Sequence, residues 1–192
     1  MKVVAFNGSA RKDGNTALLI RHVFTELEAA GIETELVQLA NRRFVGCTGC
    51  LKCAETKDDR CSGLNDDGLN ACIEKMLAAE GIIIGSPTYY ANCTATTQAL
   101  MERAGYATRK SGDKLARKVG AAVVAVRRGG AIHAFDSINH WFQINGMIVV
   151  GSSYWNIGIG RDVGDVESDT EGLETMQTLG RTMAWALERL HG

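Results

Sequence analysis

Four of the six cysteines fall in one polar stretch, Cys47-x2-Cys50-x2-Cys53-x7-Cys61, with Gly46 and Gly49 interleaved. Three thiols spaced at i, i+3 and i+6 can wrap a compact centre, and a fourth a short loop later can close it. That is the spacing logic of a [4Fe-4S] site, in which each cysteine binds one iron. The gap before Cys61 is at the long end for such a run, and no proline follows it as in ferredoxin-type runs. Three other readings stay open on spacing alone. Structural zinc usually pairs two separated C-x-x-C knuckles, and only one such region is present. A disulfide could form within Cys47-x-x-Cys50, or the cysteines could be reduced thiols in a loop. Spacing favours the cluster. Cys72 sits at an apolar helix phase and reads as core.

The second chemically loaded stretch is Phe6-Asn7-Gly8-Ser9-Ala10-Arg11-Lys12-Asp13-Gly14-Asn15-Thr16. It follows the apolar run Val3–Phe6 and precedes Leu19, Val23 and Leu27 at helical spacing. A strand, a short glycine-bearing loop and a helix start place unpaired N–H groups and a positive dipole end around one small space. Ser9, Asn15 and Thr16 add neutral donors, and Arg11 adds a charge. Phosphate is the expected guest. The plainer alternative is an ordinary turn in which Asn15 or Thr16 caps the helix. The loop is neither G-x-G-x-x-G nor G-x-x-x-x-G-K-[ST], so a dinucleotide or triphosphate is not the first expectation.

Both stretches need a scaffold, and the chain supplies alternating β-like runs and amphipathic helices. Strands are expected at 2–6, 33–39, 81–85, 119–126 and 147–150. Helices are expected at 15–30 (closed by Gly31), around 69–77, at about 94–107, from Gly130 to about 145, and from near Ser168 onward, where Ser168 and Glu171 have capping-box spacing. The polar cysteine stretch, about 40–63, is a loop insertion after strand 2. Five strands alternating with helices imply one α/β domain over 1–192, a doubly wound parallel sheet in the order 2-1-3-4-5. Ligands then bind at the carboxyl ends of strands 1 and 3, so the loops after Phe6 and Gly85 should face each other.

The loop after strand 3, Ser86-Pro87-Thr88-Tyr89-Tyr90-Ala91-Asn92-Cys93-Thr94, suits a flat heteroaromatic ring. Pro87, Tyr89 and Tyr90 offer stacking area, and Asn92 and backbone amides can bond ring oxygens and nitrogens. Taken alone, simple packing of the tyrosines would account for it as well. Arg127-Arg128-Gly129-Gly130 ends strand 4 on the same edge, with glycines that permit close approach. Phosphate at one end and a planar ring at the other describe a mononucleotide such as FMN. His133 and His140 have no carboxylate in a triad-like position. Tyr154 to Gly160 lies beyond strand 5, where it could reach a neighbouring subunit, and the acidic residues of 162–171 read as a solvated face.

A net charge of −1 argues against nucleic acid or an acidic membrane as the main partner. The longest uncharged stretch, 137–160, is too polar to span a bilayer. With no signal-peptide core visible, a cytoplasmic location is expected.

Gly8-Ser9-x-Arg11-x-x-Gly14-Asn15-Thr16 together with Ser86-Pro87-Thr88-Tyr89 resembles the NADPH-dependent FMN reductase family of flavodoxin-like proteins. The cysteine run resembles that of its iron–sulfur flavoprotein branch. The resemblance implies FMN, with its phosphate on Ser9, Arg11, Asn15 and Thr16. The ring would lie against Pro87, Thr88, Tyr89, Tyr90 and Asn92, with Arg128, Gly129 and Gly130 completing the site. It also implies a [4Fe-4S] cluster on Cys47, Cys50, Cys53 and Cys61, and a homodimer or homotetramer. NAD(P)H or a ferredoxin-type protein would be the electron partner. Two rivals remain: a cluster-free NAD(P)H-dependent FMN or quinone reductase, and a non-enzymatic flavodoxin-like carrier.

Overall fold

The structure, a computed structural model, describes residues 1–192. Strand β1 (Lys2–Asn7) is followed by α1 (Asn15–Ala29), β2 (Glu33–Gln38), a short α2 (Lys52–Thr56) and α3 (Leu69–Ala78). Then come β3 (Gly81–Pro87), α4 (Ala95–Lys110), β4 (Val119–Val126), α5 (Ala131–Ile144), β5 (Ile148–Val149), β6 (Ile157–Ile159), a 3₁₀ turn at Asp165–Ser168, and α6 (Thr170–His191). The strands run parallel in the order β2-β1-β3-β4-β5, the flavodoxin-like arrangement, with β6 also paired to β4.

Alternation along each strand divides the interior in two. Val3, Ala5, Ile83, Ala121, Val123 and Ala125 face α1 and α6, where they meet Leu19, Val23, Met176, Leu179 and Met183. Val4, Phe6, Ile82, Ile84, Ala122 and Val124 face α3, α4 and α5, meeting Ile73, Met76, Leu100, Ala104, Ile138 and Phe142. The period of two sends neighbouring residues to opposite faces, so both faces are buried and the strands read as unbroken apolar runs. Beyond the paired residues, Gly8 N–H donates to the Gly85 carbonyl at 2.7 Å. The loops after β1 and β3 therefore face each other.

The fifth sheet position differs from the single strand expected at 147–150. Ile148 and Val149 pair with Val119 and Gly120, the chain leaves the sheet, and Ile157–Ile159 rejoins beside Val124–Val126. Ser152 Oγ donates to Asn156 Oδ1 at 2.6 Å, closing the excursion, and the Asn156 carbonyl takes the Val124 N–H at 2.9 Å. Side-chain bonds that compete with the ladder make such a detour favourable. Tyr154 and Trp155 are left on its exposed crest.

Two helix starts also differ from expectation. Gly14, not Asn15 or Thr16, precedes α1, and no side chain caps it. The cap of α6 is Asp169, whose carboxylate accepts the Gly172 N–H at 3.1 Å, while Ser168 belongs to the 3₁₀ turn. The other Asp169 oxygen accepts the Ile159 N–H at 2.6 Å, so one carboxylate joins α6 to β6. Replacing Asp169 by Ala should cost about 1–2 kcal/mol of stability in urea unfolding, above a simple cap loss because two donors are orphaned. A loss below a few tenths would show that water replaces both bonds.

Candidate functional site

The loop after β1 is held open by its own polar groups. Asn7 Oδ1 accepts the Ser9 N–H at 3.1 Å, and Ser9 Oγ accepts the Arg11 N–H at 3.1 Å. Gln38 at the end of β2 donates to the Ser9 carbonyl at 2.9 Å. Gly8 is forced by space: a Cβ there would lie 1.9 Å from Thr97 Oγ1. Thr94 Oγ1, capping α4, donates to the Gly8 carbonyl at 2.9 Å and so ties the two loops together.

Between them lies a cavity of about 160 Å³, lined by Ser9, Arg11, Asn15, Thr16, Pro87, Thr88 and Tyr89 together with Ala125, Arg127, Gly160 and Arg161. The hydroxyls of Thr16 and Thr88 are buried and have no hydrogen-bond partner. A buried unsatisfied hydroxyl costs on the order of 1–3 kcal/mol, so two at one cavity mark where a polar guest belongs. The uncapped α1 terminus adds N–H donors and a positive dipole end. Arg11, Arg127 and Arg161 add positive charge at the rim. Thr16, the three arginines and the α1 terminus fit the phosphate of a mononucleotide, and Thr88 fits a polar group further along the same guest.

Asn15 lines the cavity, but both ends of its amide are engaged: Nδ2 donates to the Asp162 carbonyl, and Oδ1 accepts the Gly164 N–H, each at 2.9 Å. Its role is to clamp the 160–164 loop beside the cavity. Asp165 completes that clamp by accepting the N–H groups of Arg161 and Asp162 at 3.0 and 2.8 Å. The sequence reading directed Tyr154 to Gly160 towards a neighbouring subunit, did not name Arg161, and read the nearby acids as a solvated face. The signal available was the Gly-Ile-Gly-Arg run at 158–161, close behind the apolar residues 147–150. Arg128, Gly129 and Gly130 do not line the phosphate cavity. They border an adjoining groove of about 330 Å³ with Tyr154, Trp155 and Ile157.

The ring loop is a tight turn. Tyr89 and Asn92 exchange backbone hydrogen bonds of 2.8 and 3.0 Å across Tyr90 and Ala91, both with positive φ (49° and 60°). Two successive non-glycine residues in the left-handed region are costly, which is the kind of strain that accumulates at binding sites. Tyr90 is fully exposed as a result. Gly130 backs this turn, with room for a Cβ only at 3.1 Å from Ala91.

The second centre lies against α4, whose Arg103 and Tyr106 help line it. Cys47, Cys50, Cys53 and Cys61 line one cavity of about 110 Å³ with Thr48, Gly49, Leu51, Gly63, Leu64, Arg103 and Tyr106. All four thiols are free, and no three metal-binding side chains converge on a single-ion site. They surround a space, as a multi-iron guest requires. Gly63 cradles it closely, since a Cβ there would stand 2.0 Å from Cys50 Sγ. Leu51 and Lys57, at either end of α2, have positive φ and turn the chain sharply around the thiols. The donor set and the cradle fit an iron–sulfur cluster.

Two side chains of α4 serve this loop, and sequence reasoning found neither. Glu102 accepts the Cys47 N–H at 3.1 Å. Arg103, only 2 % exposed, donates from Nε to Cys61 Sγ at 3.1 Å, and from Nη1 to the Val45 carbonyl at 3.1 Å and to Asp67 at 2.5 Å. Burial alone would raise the Asp67 carboxyl, but Arg103 and the Leu69 and Val45 N–H groups hold it below the usual carboxylate range. The signal for Arg103 was its position in the apolar phase of Leu100, Ala104 and Ala107.

The cysteines differ in reactivity. The Lys52 N–H pulls the Cys50 thiol down, while burial and then the nearby Cys61 push Cys53 up. Burial raises Cys93, in the ring loop, to about 11. Alkylation of the metal-free chain near pH 7.5 should therefore modify Cys50 first and Cys93 last, read by mass spectrometry after short exposure. Early labelling of Cys93 would contradict this. A second outcome concerns the orphaned hydroxyl: Thr16→Val should leave ligand-free stability unchanged or slightly higher while weakening mononucleotide binding about tenfold in isothermal titration.

The NADPH-dependent FMN reductase family matches residues 1–162. An iron–sulfur flavoprotein of Methanocaldococcus jannaschii is 38% identical over 191 residues, 96% of each chain. An iron–sulfur flavoprotein of Methanosarcina thermophila is 35% identical over 190 residues, covering 98% of this chain and 96% of that one. Among solved structures, an NAD(P)H:quinone oxidoreductase from Methanothermobacter marburgensis superposes with a TM-score of 0.72 at 14% identity, over 94% of each chain, which shows the shared fold. With a cavity rimmed by Arg11, Arg127 and Arg161 at the switch point, and relatives of this kind across nearly its full length, the chain belongs to the NADPH-dependent FMN reductase family.

Proposed function

We propose that this protein is an FMN-dependent oxidoreductase that also carries a [4Fe-4S] cluster on Cys47, Cys50, Cys53 and Cys61 and exchanges single electrons with a partner protein. The observation that carries this reading is a pair of separate cavities: one with two partnerless buried hydroxyls, the other walled by four free thiols. The iron–sulfur flavoproteins among its relatives support the same assignment.

Ser9, Thr16, Arg11 and the first N–H groups of α1 would hold the phosphate, with Arg127 and Arg161 neutralising it. Asn15 keeps the 160–164 loop closed against that end. The Thr88 hydroxyl and the Pro87–Asn92 turn would orient the ring, and Tyr90 would cover it together with a second copy of the chain. When bound, FMN supplies two-electron and one-electron chemistry and the cluster supplies one-electron transfer. No side chain is needed as acid or base.

The donor has two readings. A ferredoxin-type partner suits a cluster whose Cys47 and Cys50 ligands are exposed. The groove beside Arg128, Tyr154 and Trp155 favours NAD(P)H as a second reading, because it offers a cation and aromatic faces at the same sheet edge.

Protein prepared without oxygen should contain about four iron and four sulfide per FMN, and Cys50→Ser should lose the iron while keeping the flavin. FMN with neither iron nor sulfide in the unsubstituted protein would overturn the cluster and leave a simple flavin reductase.

A further inference from the structure

Arg103 is an unusual residue for the middle of α4. A guanidinium with 1 % of its side chain exposed is costly to bury unless its donors are used and its charge is balanced. Here the donors are spread over three acceptors: the Cys61 sulfur, the Val45 carbonyl and the Asp67 carboxylate. The Val45 and Asp67 bonds hold the segments flanking the cysteine loop. The Nε bond to Cys61 Sγ is different, because it is aimed at one of the four thiols that wall the cavity and is itself buried.

We propose that Arg103 is a positioning residue that sets the reduction potential of the iron–sulfur centre through its hydrogen bond to Cys61, with Asp67 as the counter-charge that limits the effect. This rests on the cluster reading above. A sulfur ligand carries more negative charge after the centre gains one electron than before. A buried N–H donor with a full positive charge therefore favours the reduced form, and hydrogen bonds to cluster sulfurs and local charge are the protein's levers on potential. Asp67, bonded to the same guanidinium through Nη1, opposes it. The Glu102 carboxylate, which accepts the Cys47 N–H, acts on the same centre from the solvent side, where water weakens its field.

The two substitutions make predictions of opposite sign, which a merely structural role would not. Arg103→Gln removes the charge and should make the centre harder to reduce. Asp67→Asn leaves Arg103 in place without its counter-charge and should make the centre easier to reduce. Each should move the reduction equilibrium by about tenfold or more, about 59 mV for a one-electron couple. Arg103→Lys, which keeps charge but cannot reproduce the Nε geometry, should fall between Arg103→Gln and the unsubstituted protein.

The test is a mediated redox titration of the loaded protein followed by electron paramagnetic resonance of the reduced centre, with iron and sulfide measured on every variant. Opposite shifts in Arg103→Gln and Asp67→Asn support the proposal. Unmoved potentials, or shifts of the same sign, overturn it while leaving the cluster reading intact. If Arg103→Gln does not load iron, the sign for Asp67→Asn decides alone. Unsubstituted protein free of iron and sulfide would overturn the cluster reading, and this proposal with it.

Discussion

The hydrogen bond from Gly8 N–H to the Gly85 carbonyl extends the β1–β3 pairing beyond the paired residues and fixes where both loops go. It requires two backbones to meet with no side chain between them, which is why residue 8 is glycine: any Cβ would collide with Thr97. Thr94 then bonds the Gly8 carbonyl and caps α4 with the same hydroxyl. One contact thus sets the phosphate cavity, the ring turn and the start of the helix whose next turns serve the cysteine loop. Loosening it would displace both centres together.

Helix α4 couples these two regions physically. Its start lies in the ring loop beside Cys93. Cys93 Sγ lies 3.5 Å from Gln98 Oε1, Gln98 donates to Glu102 at 3.3 Å, and Glu102 accepts the Cys47 N–H. One turn of polar residues therefore links the flavin side to the thiol side. The inner face of the same helix, Leu100, Met101 and Ala104, packs into the sheet and keeps that link rigid.

Much of this could be read from the sequence. The strand–loop–helix order around Gly8, the aromatic turn after β3 and the cysteine spacing each carry local signals, and the alternation of elements fixes the parallel sheet. What stayed hidden depends on contacts between distant parts of the chain. Arg161 reaches the phosphate cavity only because Asn15 captures the Asp162 carbonyl from 147 positions away. The split fifth strand depends on Asn156, whose carbonyl takes the Val124 N–H and opens the β4–β6 pairing. Arg103 contradicts its apolar neighbours in phase, and only the fold shows that Cys61 and Asp67 are there to receive it.

One chain that holds both a flavin and a separate one-electron centre must store electrons at both. Reductive titration of the anaerobic protein, counting electrons taken up per chain from the visible spectrum, tests it most directly. About three electrons are expected, two at the flavin and one at the sulfur-ligated centre. Uptake of only about two, with all absorbance change in the flavin bands, would contradict it.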